Sequence, residues 1–490
     1  MKKSLKMFSL AVLIFTLFSC NHKNTVKESS SQLTKKTNKK PNIIYILADD
    51  LGYGDLSSYG QEKFKTPNID KLVTQGLMFT QHYAGNTVCA PSRSALLTGM
   101  HTGHTPVRGN KEVQPEGQYP IPDATYTLAE SLKKGGYVTG AFGKWGLGYP
   151  GSEGDPVYQG FDTFYGYNCQ RLGHNYYPNH LWSNRDSIAL TGNDNHQKGQ
   201  YAPELIQAEA IKFLEKNKDT TFFLYVPTII PHAELAAPEN LIEKYRGKYL
   251  PEKEFKGTDD GPEYRLGKYE SQKDAHAAFV AMIEVMDTQV GEILSKVKEL
   301  GLEDNTIVVF TSDNGPHTEG GADPKYFNSN GKLRGVKRDL YEGGVRVPMT
   351  IRWPGKIKPG TTTDLISAFW DVFPTFSEVA GVDVPDNLDG ISFLPTLLDK
   401  PEEQKQHDYL YWEFHERGGR QAIRKGNWKA VKYNVLKKPN APMQLFDLST
   451  DIGEKNNIAD KHPEIVAEMK ELFKGARTPS DVFTFDQVSF

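Results

Sequence analysis

The chain reads as an α/β protein, with a large, mostly parallel central sheet flanked by helices and a smaller antiparallel α+β subdomain at its C-terminal end. Three observations predict this. Short apolar runs alternate with amphipathic segments of helical length across residues 41–311. The runs are apolar nearly throughout, as strands covered on both faces require. Past residue 400 the order changes to closely spaced strand-like runs and a single helix.

In chain order, residues 41–48 carry Asn-Ile-Ile-Tyr-Ile-Leu and predict the first buried strand. Thr66 and Pro67 open a helix as N-cap and first-turn residue, and Gly76 stops it. Residues 77–83 read as a strand, 124–134 as a helix ending at Gly135-Gly136, and 137–142 as the next strand. A helix over 203–215 precedes a strand over 222–226. Residues 274–300 form a long amphipathic helix with Ala278, Met282, Val285, Met286 and Val290 on one face. Another buried strand covers 306–311. After the charged stretch 399–408, strand-like runs at 409–414, 420–424 and 428–433 lead into a helix over 463–473. No internal repeat is visible. The main domain is thus expected over 41–400 and the C-terminal subdomain over 401–490.

The N-terminal end reads differently. Lysines at 2, 3 and 6 precede an apolar run over 8–18, shorter than the roughly 20 residues that span a bilayer. This is the pattern of an export signal over 1–19. It closes on Leu17-Phe18-Ser19-Cys20, which resembles a bacterial lipoprotein box. Cleavage before Cys20 and lipid on its thiol tether such a chain to a membrane, with the periplasm or outer-membrane surface as the expected location. A plain secretory signal with an incidental cysteine is the alternative. The polar stretch 21–40 reads as a disordered tether reaching on the order of 25 Å.

Cysteine and charge set further bounds. The three cysteines are Cys20, Cys89 and Cys169, so no disulfide framework is expected. Residues 1–40 hold nine Lys and one Glu; with −3 for the whole chain, the folded body carries −11. A net-acidic body is a poor partner for nucleic acid, and recognition of an anionic substrate must come from locally placed cations.

Polar residues cluster just beyond the predicted strands: Asp49-Asp50, Lys144, His232 and Asp313-Asn314. That is where an open α/β sheet builds its site. Two aspartates at one strand end, with Asp313-Asn314 at another, make an all-oxygen donor set suited to a hard cation such as calcium or magnesium. Arg93 lies four residues after Cys89, one turn away on the same face if a helix starts near Ala90.

The pentapeptide Cys89-Ala90-Pro91-Ser92-Arg93, followed by Leu97-Thr98-Gly99, resembles the signature of the type I sulfatases of the alkaline phosphatase superfamily. Leu47-Ala48-Asp49-Asp50-Leu51-Gly52, Thr311-Ser312-Asp313-Asn314-Gly315, Gly143-Lys144-Trp145, Ile230-Pro231-His232 and Gly335-Val336-Lys337 extend the resemblance over roughly 41–475. It implies a sulfuric ester hydrolase whose Cys89 is oxidised to formylglycine by a formylglycine-generating enzyme. It implies Ca2+, in preference to Mg2+, on Asp49, Asp50, Asp313, Asn314 and the modified Cys89. Arg93 then orients the formylglycine, Lys144 and Lys337 bind the sulfate, His232 protonates the leaving alcohol, and Asp313 accepts the nucleophile's proton. Arg346 reads as structural.

One position departs from the pattern. Many relatives read Gly-Lys-Trp-His-Leu-Gly where this chain has Gly143-Lys144-Trp145-Gly146-Leu147-Gly148. The absent histidine leaves the base for release of sulfate unassigned; His101 and His104 are the candidates to replace it.

Exported bacterial members act on sulfated oligo- and polysaccharides such as ulvan, carrageenan and other algal galactans, or on host glycosaminoglycans. The resemblance therefore implies such a partner, galactose or N-acetylgalactosamine before rhamnose. Residues 168–177, dense in donors and aromatics, supply Arg171 and His174 as candidate substrate readers; His317, Arg108 and Asn110 are further ones. The rival readings are a formylglycine-dependent phosphonate or phosphodiester hydrolase and a non-catalytic lipoprotein that captures sulfated glycan.

Overall fold

The computed structural model describes residues 40–438 and 440–485. The expected export signal, lipidated Cys20 and tether lie outside these residues, apart from Lys40. Strands are β1 (Asn42–Ala48), β2 (Leu77–Tyr83), β3 (Glu112–Val113), β4 (Gly117–Gln118), β5 (Val138–Lys144), β6 (Thr163–Tyr167), β7 (His180–Ser183), β8 (Asp186–Ala189) and β9 (Phe222–Pro227). They continue with β10 (Thr306–Ser312), β11 (Arg346–Arg352), β12 (Thr361–Thr363), β13 (Ser367–Ala368), β14 (Leu410–Phe414), β15 (Arg420–Lys425), β16 (Trp428–Tyr433) and β17 (Gln444–Asp447).

The main sheet runs β12-β2-β11-β10-β1-β9-β5-β6-β7-β8, with β13 also on β2. Its centre, β10-β1-β9-β5-β6, is entirely parallel. Antiparallel partners extend it on both sides, through β11 and β2 on one and β7 and β8 on the other. The mostly parallel sheet expected from the sequence is present.

β1 shows why its run is apolar throughout. Ile44, Ile46 and Ala48 join an apolar cluster with the helices α1 (Pro67–Thr74), α4 (Ala202–Lys216) and α6 (Ala275–Glu299). Ile43, Tyr45 and Leu47 point the other way, into a second cluster with α2 (Cys89–Thr98) and α3 (Leu128–Lys134). The period-two alternation of a strand thus serves two dry faces instead of one. On α6 all five residues of the expected face are buried.

Of the boundaries that differ from expectation, two are instructive. The helix expected from 124 starts at Leu128, because the Thr127 side chain accepts the Glu130 amide while Glu130 bonds back to Thr127, a capping box. The strand expected over 137–142 runs on to Lys144, so that lysine ends β5 instead of following it. The hairpin β7–β8 and strand β11 were not anticipated from the sequence.

At the C-terminal end β14 to β17 form a four-stranded antiparallel sheet. Trp412, Phe414, Ala422, Val431 and Phe446 pack with Tyr83, Val88 and Ala95 of the main body. Tyr411, Ile423, Ala430 and Leu445 cover Met469 and Phe473 of the helix Pro463–Gly475. No helix among the described residues is long and apolar enough to cross a membrane.

Candidate active site

The parallel strands bring their C-terminal ends to one edge, and each leaves a polar residue there. Asp49 and Asp50 follow β1, Lys144 ends β5, and Asp313 and Asn314 follow β10. His232 sits five positions past β9. Backbone bonds lace these ends together: the Asp49 amide donates to the Ile230 carbonyl and the Asp313 amide to the Ala48 carbonyl, both at 3.0 Å. Gly143, at φ +141°, lets β5 press against β9; a Cβ there would lie 2.0 Å from the Pro227 carbonyl oxygen.

Cys89 is the first residue of α2, whose ten residues are all buried. The thiol therefore stands at the positive end of the helix dipole. Ser92 fixes that helix to the sheet edge by donating to the Asp313 carbonyl at 2.6 Å and accepting the Gly85 amide at 3.0 Å. The Ala90 amide donates to Asn110 Oδ1 at 3.0 Å.

Around the thiol, charges alternate. Cys89 Sγ donates to Asp49 Oδ1 at 3.2 Å, and Lys144 Nζ and Lys337 Nζ approach Sγ at 3.6 and 3.8 Å. Lys144 pairs with Asp49 at 2.6 Å and Lys337 with Asp50 at 2.8 Å. Arg93 donates through Nε and Nη2 to Asp313 Oδ2 at 3.1 and 2.9 Å, lies 3.3 Å from Asp49, and also bonds the Lys144 carbonyl. Lys337 Nζ donates to His232 Nε2 at 2.8 Å, while His232 Nδ1 donates to the Ala233 carbonyl. His232 is thus held as the neutral Nδ1–H tautomer.

Electrostatics follow from this packing. Burial opposes the charge on Asp49, but Lys144, Arg93 and Lys337 outweigh it and hold that carboxyl below its usual range. Burial and the neighbouring Asp49 charge push Asp313 up to about 7. Burial pushes the Cys89 thiol up, with Asp49 adding to it. Burial, then Lys337 and Lys144, depress His232.

The donor set fits a hard cation. Asp49, Asp50, Cys89 and His232 offer ligand atoms within 4.8 Å of one another. Asn314 donates through Nδ2 to Asp50 Oδ1 at 2.6 Å, which leaves its Oδ1 buried with no partner among the described residues and open to a cation.

Beyond the thiol opens a cavity of about 330 Å³, whose wall includes Asn110, Gln118, Gln170, Arg171, His174 and Tyr269. The sequence-derived readers distribute unevenly. His174 stacks on His232 at 4.8 Å and bonds the Gly267 carbonyl at 2.9 Å; burial and then Lys144 push it down to about 3. His317 stacks on the other side of His232 at 5.5 Å and is itself buried. Arg171 reaches the cavity, but its guanidinium bonds the Leu266 and Pro115 carbonyls. Arg108 does not line the cavity: it pairs with Glu413 at 3.2 Å and bonds the Thr105 and Thr478 carbonyls. His101 and His104 also lie off the cavity wall, stacked on each other at 4.4 Å and turned to Asp389. Arg346 donates to the Thr80 carbonyl at 2.8 Å and pairs with Glu342, a structural arrangement. Gln170 falls within the donor-rich stretch 168–177, but neither it nor Gln118, on β4, was singled out by sequence reasoning, since an isolated glutamine carries no local signal.

Residues 41–382 match the family described as Sulfatase, and 336–478 match the C-terminal part of N-sulphoglucosamine sulphohydrolase. The chain belongs to the sulfatase family. An N-acetylgalactosamine-6-O-sulfatase of Bacteroides thetaiotaomicron is 33% identical, over 98% of this chain and all of that protein. Human arylsulfatase A is 32% identical over 89% of this chain and 87% of its own. Among solved structures, Ps i-CgsB in complex with k-i-k-neocarrahexaose superposes with a TM-score of 0.72 at 28% identity, covering 89% of this chain and 93% of the other. The α/β architecture is that of the alkaline phosphatase-like sulfatases, and the enzyme is a sulfuric ester hydrolase. As a sulfatase it carries acidic residues grouped for a metal ion.

Proposed function

We propose that this sulfatase hydrolyses sulfate monoesters of a sulfated carbohydrate, through formylglycine at position 89 and a divalent cation, calcium before magnesium. The observation that carries the reading is the convergence on one buried thiol of two lysines and of carboxylates grouped for a metal ion, with an arginine paired to one of those carboxylates. The substrate class is supported by two relatives: one named for N-acetylgalactosamine 6-sulfate, the other solved with a carrageenan-type hexaose.

The reaction adds water across the S–O bond, giving an alcohol, inorganic sulfate and a proton. Hydrated formylglycine offers two geminal hydroxyls, one to attack sulfur and one whose collapse to the carbonyl expels sulfate. Asp49, Asp50, Asp313 and Asn314 would hold the cation, which supplies Lewis acidity for the nucleophile and the sulfate oxygens. Three carboxylates and three cations already balance within the site, so a bound dication leaves room for the substrate's negative charge and that of the ionised nucleophile.

Arg93 holds the Asp313 carboxylate in the cluster, where it would take the nucleophile's proton. Lys144 and Lys337 flank position 89 and meet charge developing on the sulfate oxygens. His232 Nε2 faces Lys337, so a proton reaches the leaving oxygen by that route once the ester's charge offsets the two lysines.

The chain is exported and lipid-anchored through Cys20, with a formylglycine-generating enzyme as its maturation partner. The motif Leu17-Phe18-Ser19-Cys20 supports the anchor. Peptide mass spectrometry across Cys89 after coexpression with that enzyme tests the central step. A loss of about 18 Da relative to cysteine is expected. Unmodified cysteine in an active preparation would overturn it.

A further inference from the structure

Gln170 is 5% exposed, lines the cavity beside Cys89, Lys144 and His232, and has no partner for either Nε2 or Oε1. Gln118, fully buried, lines the same cavity; its Oε1 accepts the Gln170 amide at 3.2 Å and its Nε2 has no partner. Three buried side-chain amide atoms in one wall are thus unpaired among the described residues. Each such atom is costly to bury unless something supplies its partner. The neighbouring side chains of this wall behave otherwise: Arg171 and His174 are tied to the backbone carbonyls of Pro115, Leu266 and Gly267.

Gly146 explains how Gln170 comes to stand there. This glycine has φ +77°, and a Cβ on it would lie 1.7 Å from Gln170 Nε2. The carboxamide therefore fills the space in which any side chain at 146 would begin. A carboxamide is neither acid nor base near neutral pH, so it cannot replace a histidine as proton acceptor. It can do what a histidine there could not, offering a donor and an acceptor side by side to groups that carry both, as sugar hydroxyls do.

We propose that Gln170, with Gln118 behind it, is a specificity-determining residue that pairs with hydroxyl or acetamido groups of the leaving alcohol. It selects esters of polyhydroxylated alcohols over those of apolar aryl or steryl alcohols. An apolar leaving group would strand the amide atoms in a dry wall, which is a stronger penalty than a missing methylene imposes. This rests on the carbohydrate reading above and adds to it the residues that enforce it.

The test compares kcat/KM for N-acetylgalactosamine 6-sulfate and a panel of other sulfated monosaccharides with that for 4-nitrophenyl sulfate. Gln170→Leu keeps volume and removes both polar atoms. The loss on the preferred sugar sulfate is expected to exceed the loss on the aryl sulfate by about 10- to 100-fold. Gln170→Glu replaces the donor by a second acceptor and adds a negative charge that opposes both sulfate esters alike. Its excess loss on the sugar over the aryl sulfate should fall between wild type and Gln170→Leu, and it serves if the leucine variant does not fold. Formylglycine conversion and Tm are measured on each variant to set aside misfolding. Equal losses on both substrate types in folded, converted variants would overturn the proposal, as would no loss on the sugar. Wild-type enzyme that turns over the aryl sulfate but no sulfated sugar would overturn the carbohydrate reading itself, and the assignment of Gln170 with it.

Discussion

The strand-end cluster and the loop-built wall face the same cavity but are put together on opposite principles. In the cluster, Asp49, Asp50, Lys144 and Asp313 sit on or next to parallel strands, and nearly every charge has a partner. In the wall, Gln118 and Gln170 come from a short strand and a loop, and three of their four side-chain amide atoms are unpaired among the described residues. Rigid parallel strands can hold reacting groups to fractions of an ångström, whereas loops can be exchanged without disturbing that register. The contrast assigns chemistry to the first region and choice of substrate to the second. It is broken if a change in either region acts through the other's readout.

The largest effect belongs to position 89. Cys89→Ala should lower turnover of every sulfate ester by about 10⁴-fold or more while Tm changes little, because the thiol makes only one short polar contact. Retained turnover in a correctly folded variant would remove the nucleophile from the cluster. Next comes the cation. Exhaustive chelation should cost about 100-fold or more in kcat, and added Ca2+ should restore it. Indifference to chelation would leave the unpaired Asn314 Oδ1 without its explanation. Lys144→Ala and Lys337→Ala follow, each at about 100- to 1000-fold in kcat on sugar and aryl sulfates alike. A loss confined to sugar would move that lysine from chemistry to recognition.

The difference between the regions also explains what was legible in the sequence. Asp49-Asp50, Lys144 and Asp313-Asn314 announce themselves because each follows an apolar run that can only be a buried strand, and the strand end fixes their location. Cys89 and Arg93 share a helical turn, so their joint approach to Asp49 is also local information. Arg108, His101 and His104 misled because their partners are remote in sequence. Glu413 lies 305 residues from Arg108, and Asp389 lies 285 from His104. Only the folded chain shows that those partners draw the three side chains off the cavity wall. Gln170 did not stand out from its stretch for the opposite reason: its side chain has no partner among the described residues, a property that no spacing encodes.

A pH experiment sharpens the cluster's side of the comparison. Burial and the Asp49 charge raise Asp313 to about 7, so in the metal-free protein it takes up a proton as pH falls through that value. A raised carboxyl also means that ionisation of Asp313 disfavours the metal-free fold as pH rises from about 4 to 7, by linkage. A cation that needs the ionised form competes with the proton. Calcium affinity should therefore be flat above pH 7 and weaken by up to about tenfold per unit below it. Isothermal titration at pH 5.5, 6.5 and 7.5 reads this directly. Affinity that stays constant over the range would show that Asp313 is ionised throughout, with Arg93 and not the cation as its counter-charge.

The smallest effect is expected at Arg171, and it tests the wall. Its guanidinium bonds the Pro115 and Leu266 carbonyls and approaches Glu112 at 3.6 Å, so it staples two loops instead of presenting free donors. His174 is similarly engaged, but its ring also stacks on His232. Arg171→Ala should therefore raise KM for a sugar sulfate by about 3- to 10-fold through loosened loops. His174→Ala, by freeing the His232 ring, should lower kcat on both sugar and aryl sulfates. If Arg171→Ala instead rivalled Gln170→Leu on sugar alone, the guanidinium would have to leave its carbonyls to meet substrate, and the wall would be assembled by the ligand and not by the loops. The division between a fixed cluster and a preformed wall would then hold only for the cluster.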